Sequence, residues 1–161
     1  MSARPTIADI VRFVKHEARL IDEQRFEEWY ELFTDDAYYW VPAVPGQNDP
    51  LLHNSLAYED KLLLRLRIER LKSPLAYSQQ PASRCLHVLQ EPDIEKADAD
   101  RGEYLTRTPF IYTEAKADDS QRYAATAWHT LVWSHDRLRI RLKRVDILNC
   151  DAMLPSIQLF L

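Results

Sequence analysis

The residues best suited to bind a metal or move a proton are two cysteines and five histidines. A [2Fe–2S] cluster of the mixed Cys/His type takes two Cys and two His in two closely spaced pairs. Cys85 and His87 have the spacing of one such pair, but Cys150 has no histidine near it. Both thiols therefore read as small core residues. A mononuclear iron site takes two His and a carboxylate with positions left open. Among His16, His53, His87, His129 and His135 there is no pair at the helical spacing of a zinc protease. His129 and His135 share a strand parity but lie about 20 Å apart along an extended chain, too far for one ion. His16, beside Glu17 on a helical pattern, is expected at the solvent. The sequence thus predicts no metal site.

Acid–base chemistry needs fewer groups. Asp35, Asp36, Tyr38, Tyr39, His87 and His129 form the candidate set, provided they face one cavity. A carboxylate near an imidazole in an apolar pocket has its pKa moved toward neutrality. The plainer reading is that Asp35 and Asp36 make a turn and that Tyr38, Tyr39 and Trp40 are strand formers. The expectation is accordingly that no residue of this chain is catalytic and none binds a cofactor. The basic residues Arg137, Arg139, Arg141 and Lys143 alternate along a strand, with Arg144 beside them. They make either a solvated face or a surface for an acidic partner, and the same choice applies to Arg65, Arg67 and Arg70.

The elements that must position these groups are legible from periodicity. Thr6 is a helix cap, with Asp9 three residues on. Ile7, Ile10, Val11, Val14, Ala18 and Ile21 form one apolar helical face. A second short helix is predicted over 23–33, burying Phe26, Trp29, Tyr30 and Phe33 and ending at Asp35 and Asp36. Tyr38 to Val41 reads as a strand stopped by Pro42. A long loop covers 42–57. A third helix is predicted over 58–71, with Leu64, Ile68 and Leu71 on one face. The remainder reads as strands: 84–90, 103–113, 122–135 and 138–148, with 157–161 as a candidate last one. Along 103–113, Tyr104, Thr106, Thr108, Phe110 and Tyr112 share a face; along 138–148, Leu138, Ile140 and Leu142 oppose Arg139, Arg141 and Lys143. Turns are expected at 118–120 and at His135-Asp136.

Helices followed by a long run of strands make an α+β plan, here N-terminal helices packed in a strongly curved antiparallel sheet that leaves a cone-shaped cavity. The chain has 161 residues, which suits a single domain over 1–161. Its two glycines, Gly46 and Gly102, cannot build a phosphate loop or a dinucleotide fingerprint. A net charge of −4 does not favour nucleic acid. No stretch is long and apolar enough to span a membrane. No signal-peptide pattern precedes the first helix, and two cysteines without one fit a reduced, cytoplasmic protein.

Three segments carry a family resemblance. VRFVKHEARLIDEQRFEEWYELFTDDAYYWVP resembles the opening of the small (β) subunits of Rieske-type aromatic-ring-hydroxylating dioxygenases. The matching steps are Glu17-Ala18, Ile21-Asp22, Trp29, Asp35-Asp36 and Pro42. The middle segment matches at Tyr58, Asp60, Lys61, Leu64, Arg67, Arg70, Leu71, Pro81, Ser83, Arg84 and His87. LRIRLKRVDILNCD is similar to the family's closing strand. The three occur in the family's order and span nearly the whole chain. Departures fall at Tyr77-Ser78, at Cys85-Leu86 before His87, and at Gln90-Glu91.

The resemblance implies the cone-shaped fold of the nuclear-transport-factor-like group. It also implies a β-subunit homotrimer docked on three α subunits as a hetero-hexamer. The α subunit would hold the Rieske [2Fe–2S] cluster and a mononuclear Fe(II). The complex would cis-dihydroxylate an aromatic ring with electrons from NAD(P)H through a reductase, and the β subunit would be structural. The alternative readings are a stand-alone cone-fold dehydratase, isomerase or cyclase, and a small-molecule-binding domain.

Overall fold

Thr6 starts the first helix, α1 (Ile7–Asp22), through a complete capping box. Its hydroxyl accepts the Asp9 N–H, and the Asp9 carboxylate accepts the Thr6 N–H. Ile10, Val14, Ala18 and Ile21 are buried along one face, and Glu17 is buried among them. The computed structural model describes residues 3–76 and 80–161; the Tyr77-Ser78 departure lies outside them.

The second helix, α2 (Phe26–Glu31), is shorter than the periodicity predicts. Gln24 adopts a positive φ of 56° between the two helices, and Phe33 already belongs to strand β1 (Phe33–Pro42). Asp35 and Asp36 therefore lie exposed within a strand and do not end a helix. The predicted third helix also loses its start. Strand β2 (Ser55–Asp60) pairs antiparallel with β1, and Tyr58 stacks on Tyr38 at 4.7 Å. Tertiary pairing overrides the helical pattern there. The Asp60 carboxylate then accepts the Leu63 N–H and caps α3 (Lys61–Lys72).

Strands β3 (Arg84–Leu89), β4 (Asp93–Asp98), β5 (Glu103–Lys116), β6 (Asp119–Ser134) and β7 (Arg137–Ile147) complete a seven-stranded sheet. The order is β2-β1-β7-β6-β5-β3, with β4 on the same edge of β5 as β3. All pairs are antiparallel except β1 with β7, which run parallel. Strand β4 is absent from the sequence reading because its segment, DIEKAD, shows no apolar alternation. The turn at His135 and Asp136 has both residues at positive φ, 51° and 60°, as a two-residue hairpin requires.

The sheet is large, curved and unclosed, and its concave face holds the helices in the cone-like arrangement expected of the sequence. Tyr104, Thr106, Thr108, Phe110 and Tyr112 of β5 all point into this core. Residues 157–161 do not form a strand. They enter the core as an irregular segment, burying Leu159, Phe160 and Leu161. Their N–H groups find side-chain acceptors in place of a ladder: Glu114 takes those of Gln158 and Leu159, and the Tyr39 hydroxyl takes that of Leu161.

One irregularity decides the interior. In the β6–β7 ladder, Leu131 faces Ile140 but Thr130 faces Leu142, so Arg141 is an extra residue. Such a bulge shifts side-chain parity by one. Leu138 and Ile140 point inward before it; Lys143, Val145 and Ile147 point inward after it. The predicted common face of Arg137, Arg139, Arg141 and Lys143 is thereby broken, and Lys143 is 2% exposed.

Candidate functional site

Two carboxylate–imidazole pairs occupy the cone interior. The first is built on Glu17, which α1 carries inward on its apolar face. Glu17 Oε1 accepts the Trp29 indole N–H at 2.7 Å and the Lys143 ammonium at 2.5 Å. Its Oε2 lies 3.4 Å from His129 Nε2. His129 and Lys143 are cross-strand neighbours on β6 and β7, so the bulge in β7 is what delivers Lys143 to the carboxylate. Burial alone would raise the Glu17 pKa, but the Lys143 charge, with His129 beside it, outweighs burial and holds Glu17 well below the ordinary carboxylate range.

The second pair joins the C-terminal end of α1 to β3. Asp22 Oδ1 sits 2.6 Å from His87 Nδ1, and the same carboxylate accepts the His87 backbone N–H at 3.0 Å. Cys85, two residues along the same strand face, directs its thiol at Asp22 Oδ1 at 3.7 Å. His87 engages Asp22 through Nδ1, and Nε2 is its other ring nitrogen. It has no hydrogen-bond partner among the described residues, and neither has either ring nitrogen of His129.

Ligand atoms of Asp22, Cys85 and His87 lie within 4.8 Å of one another, the only such group among the described residues. Within the group Asp22 is the shared partner of the Cys85 thiol and of the His87 ring and backbone N–H. Burial, reinforced by the Asp22 charge, pushes the Cys85 thiol up to about 12, which keeps it neutral. Cys150 is outside the group, so among the described residues no Cys₂His₂ set of the kind a mixed-ligand iron–sulfur cluster requires is brought together.

His87 and His129 line one small internal cavity with Glu17, Thr108, Lys143 and Leu161. Its volume is about 10 Å³, room for roughly one water. Sites for small-molecule ligands are typically about 300–1,000 Å³. The pocket shared by His87 and His129 is far smaller than such a site.

Four members of the predicted acid–base set are elsewhere. Asp35, Asp36 and Tyr38 are exposed on β1. Asp36 accepts the Thr34 hydroxyl, which, with the Arg141 charge, holds its carboxyl below the usual range. Tyr39 is buried, its hydroxyl pKa is raised by that burial, and it is spent on the Leu161 N–H. His16, His53 and His135 are exposed.

The basic residues are largely engaged within the chain. Arg139 donates to the Phe33 carbonyl at 2.7 Å. Arg141 pairs with Glu103, and Arg144 with Asp146. On α3, Arg65 pairs with Glu27 and Arg67 with Glu59. Sequence reasoning missed Glu17, Asp22 and Lys143 as interior residues. Glu17 carried a signal, a charge at helical spacing inside the apolar face of Val14, Ala18 and Ile21. Lys143 carried none, because the bulge is invisible in its strand.

The family model described as "Ring hydroxylating beta subunit" matches residues 16–152. Over 152 residues the chain is 30% identical to the small oxygenase component of the p-cumate 2,3-dioxygenase system of Pseudomonas putida, covering 93% of this chain and 83% of that one. It is 29% identical to the 2-halobenzoate 1,2-dioxygenase small subunit of Burkholderia cepacia, covering 92% of each. The benzoate 1,2-dioxygenase β subunit of Burkholderia mallei has a similar fold, with a TM-score of 0.77 at 24% identity over 98% of this chain and 99% of that one. A scytalone dehydratase-like protein of Novosphingobium aromaticivorans shares the fold at a TM-score of 0.62 and 13% identity, over 86% of this chain and 80% of that one. The matched segment contains both carboxylate–imidazole pairs, and on that match the chain belongs to the family of ring-hydroxylating β subunits.

Proposed function

We propose that this chain is the structural β subunit of a multicomponent aromatic-ring-hydroxylating dioxygenase. It acts as a single-domain scaffold in the cytoplasm. Its partner is an α subunit that carries the Rieske [2Fe–2S] cluster and the mononuclear Fe(II). Electrons reach that subunit from NAD(P)H through a reductase, and the complex cis-dihydroxylates an aromatic substrate. The chain itself supplies no catalytic residue, cofactor ligand or metal ligand to the reaction. Three copies associate and dock on three α subunits.

The observation that carries this reading is how little room lies beside the two buried imidazoles. Family motif residues Glu17, Asp22, Trp29 and His87 converge there, and each is used to tie one element to another. The pocket beside His87 and His129 is about 10 Å³. That arrangement serves a scaffold and disfavours the cone-fold dehydratase, isomerase or cyclase, which would need room for substrate beside the imidazoles. Co-expression with the cognate large subunit, followed by light scattering of the purified complex, tests the reading. A mass matching three of each chain supports it. A chain that remains monomeric and ignores the large subunit overturns it.

A further inference from the structure

The two carboxylate–imidazole pairs stand on strands that do not pair with each other. His87 is on β3 and His129 on β6, with β5 between them. Both carboxylates come from α1: Asp22 meets His87, and Glu17 lies beside His129. The two rings line the same small cavity. On β5, Thr108 is the next inward residue before Phe110, against which the His87 ring packs with centroids 5.5 Å apart. Thr108 faces Ala127 across the ladder, and the next inward residue of β6 is His129. Ala127, with Ala18 of α1, is too short to fill the space between the rings.

The polar atoms that line this cavity are the ones the fold leaves unpaired. His87 Nε2, the Thr108 hydroxyl and both ring nitrogens of His129 are buried and have no hydrogen-bond partner among the described residues. His129 Nε2 approaches Glu17 Oε2 to 3.4 Å, an electrostatic contact without a formed hydrogen bond. Unpaired polar atoms in an interior are costly, and buried water is the usual means of pairing them.

Size and charge restrict the occupant. A volume of about 10 Å³ admits one water-sized sphere and no polyatomic ligand. The charged groups in the lining, Glu17 and Lys143, hold each other at 2.5 Å. A cation there would meet the ammonium and an anion the carboxylate, so the site suits a neutral molecule. The occupant must also both donate and accept, because an imidazole nitrogen does one or the other according to its proton and a hydroxyl does both. Water meets this demand in every proton arrangement.

We propose that the cavity is a site for one ordered water molecule that bonds to His87 Nε2, the Thr108 hydroxyl and a ring nitrogen of His129. The water joins the two carboxylate–imidazole pairs into one network and ties β3, β5 and β6 to α1 from within. The inference concerns this chain alone and does not depend on its assembly.

A crystal structure of the chain at a resolution that shows ordered water tests the site, for the unaltered protein and for Thr108→Val, which exchanges the hydroxyl for a methyl group. The expected result is a water peak within hydrogen-bond distance of both rings in the unaltered chain, lost or weakened in the variant. A dry cavity, or a direct bond between the two rings, would overturn the proposal. A peak of full strength in Thr108→Val would remove Thr108 from the site. Urea unfolding of His87→Leu, of His129→Leu and of the double variant reads the joining of the pairs. The double variant should raise the unfolding constant by less than the product of the two single effects, short of it by about threefold or more. A double effect equal to that product would show that the water, where present, does not couple the two pairs, and would overturn the network.

Discussion

The Lys143 ammonium lies 2.5 Å from the Glu17 carboxylate, joining residues 126 positions apart with both side chains 2% exposed. Through this one carboxylate, α1 is fastened to β7, and the Trp29 indole adds α2 to the same oxygen. Ion pairs at the surface contribute little, about 0–1 kcal/mol. A buried pair behaves differently, since removing one partner strands the other charge away from water.

Lys143→Met is therefore expected to destabilise the chain by about 3–5 kcal/mol. Urea unfolding of the single variants at positions 17 and 143 and of their double variant would measure it. The double variant should lose less than the sum of the two singles, because it leaves no stranded charge. Simple additivity would show that the two groups are not coupled.

The same pair predicts an acid limb. The Glu17 pKa is depressed in the folded chain from an ordinary value of 4.5. A depressed carboxylate contributes stability that is fully present above its unfolded pKa and is lost as pH falls toward the folded one. The melting temperature should hold steady above about pH 5 and fall progressively below it. In Glu17→Gln the starting stability is lower and the fall below pH 5 is shallower. An equally steep fall in the variant would assign the acid limb to other carboxylates.

Cysteine chemistry gives an independent check on the interior. With its pKa pushed up to about 12, the Cys85 thiol carries almost no thiolate near neutrality, and thiolate is the reactive form. Cys150 is raised as well and is 5% exposed. Neither thiol should label with an aromatic disulfide reagent at pH 8 until denaturant is added. Elemental analysis of the purified chain should find no stoichiometric iron. Rapid labelling of one thiol in the folded chain, or about one iron per chain, would contradict this description of the Asp22–Cys85–His87 group.

Much of this was legible in the residues. The capping box at Thr6, the inward set on β5 and the hairpin at His135-Asp136 follow from local pattern alone and are present, as is the apolar face of α1 from Ile10 to Ile21, although Ile7, predicted on that face, is exposed. What failed did so for identifiable reasons. Tyr58 to Asp60 scans as helix but is held as a strand by β1. The 157–161 segment is apolar enough to be a strand, yet the N–H groups of Gln158, Leu159 and Leu161 go to Glu114 and Tyr39 and it stays outside the sheet. The parity of β7 reverses at Arg141, a change that no residue type announces. That reversal moves Lys143 from a presumed basic surface into the core, and with it the interior ion pair.

The scaffold account is tested most directly by turnover of the assembled complex. His87→Gln, His129→Gln and Asp36→Asn should be compared separately with the unaltered chain, with rates expressed per intact complex and melting followed on the same samples. A general acid or base contributes roughly 10²–10⁴-fold to rate. A residue that acts only through packing leaves the rate per intact complex nearly unchanged. The account predicts changes of less than about tenfold for all three variants, below that catalytic range. A loss of a hundredfold or more in a fully assembled, normally stable complex would place chemistry in this chain and contradict it.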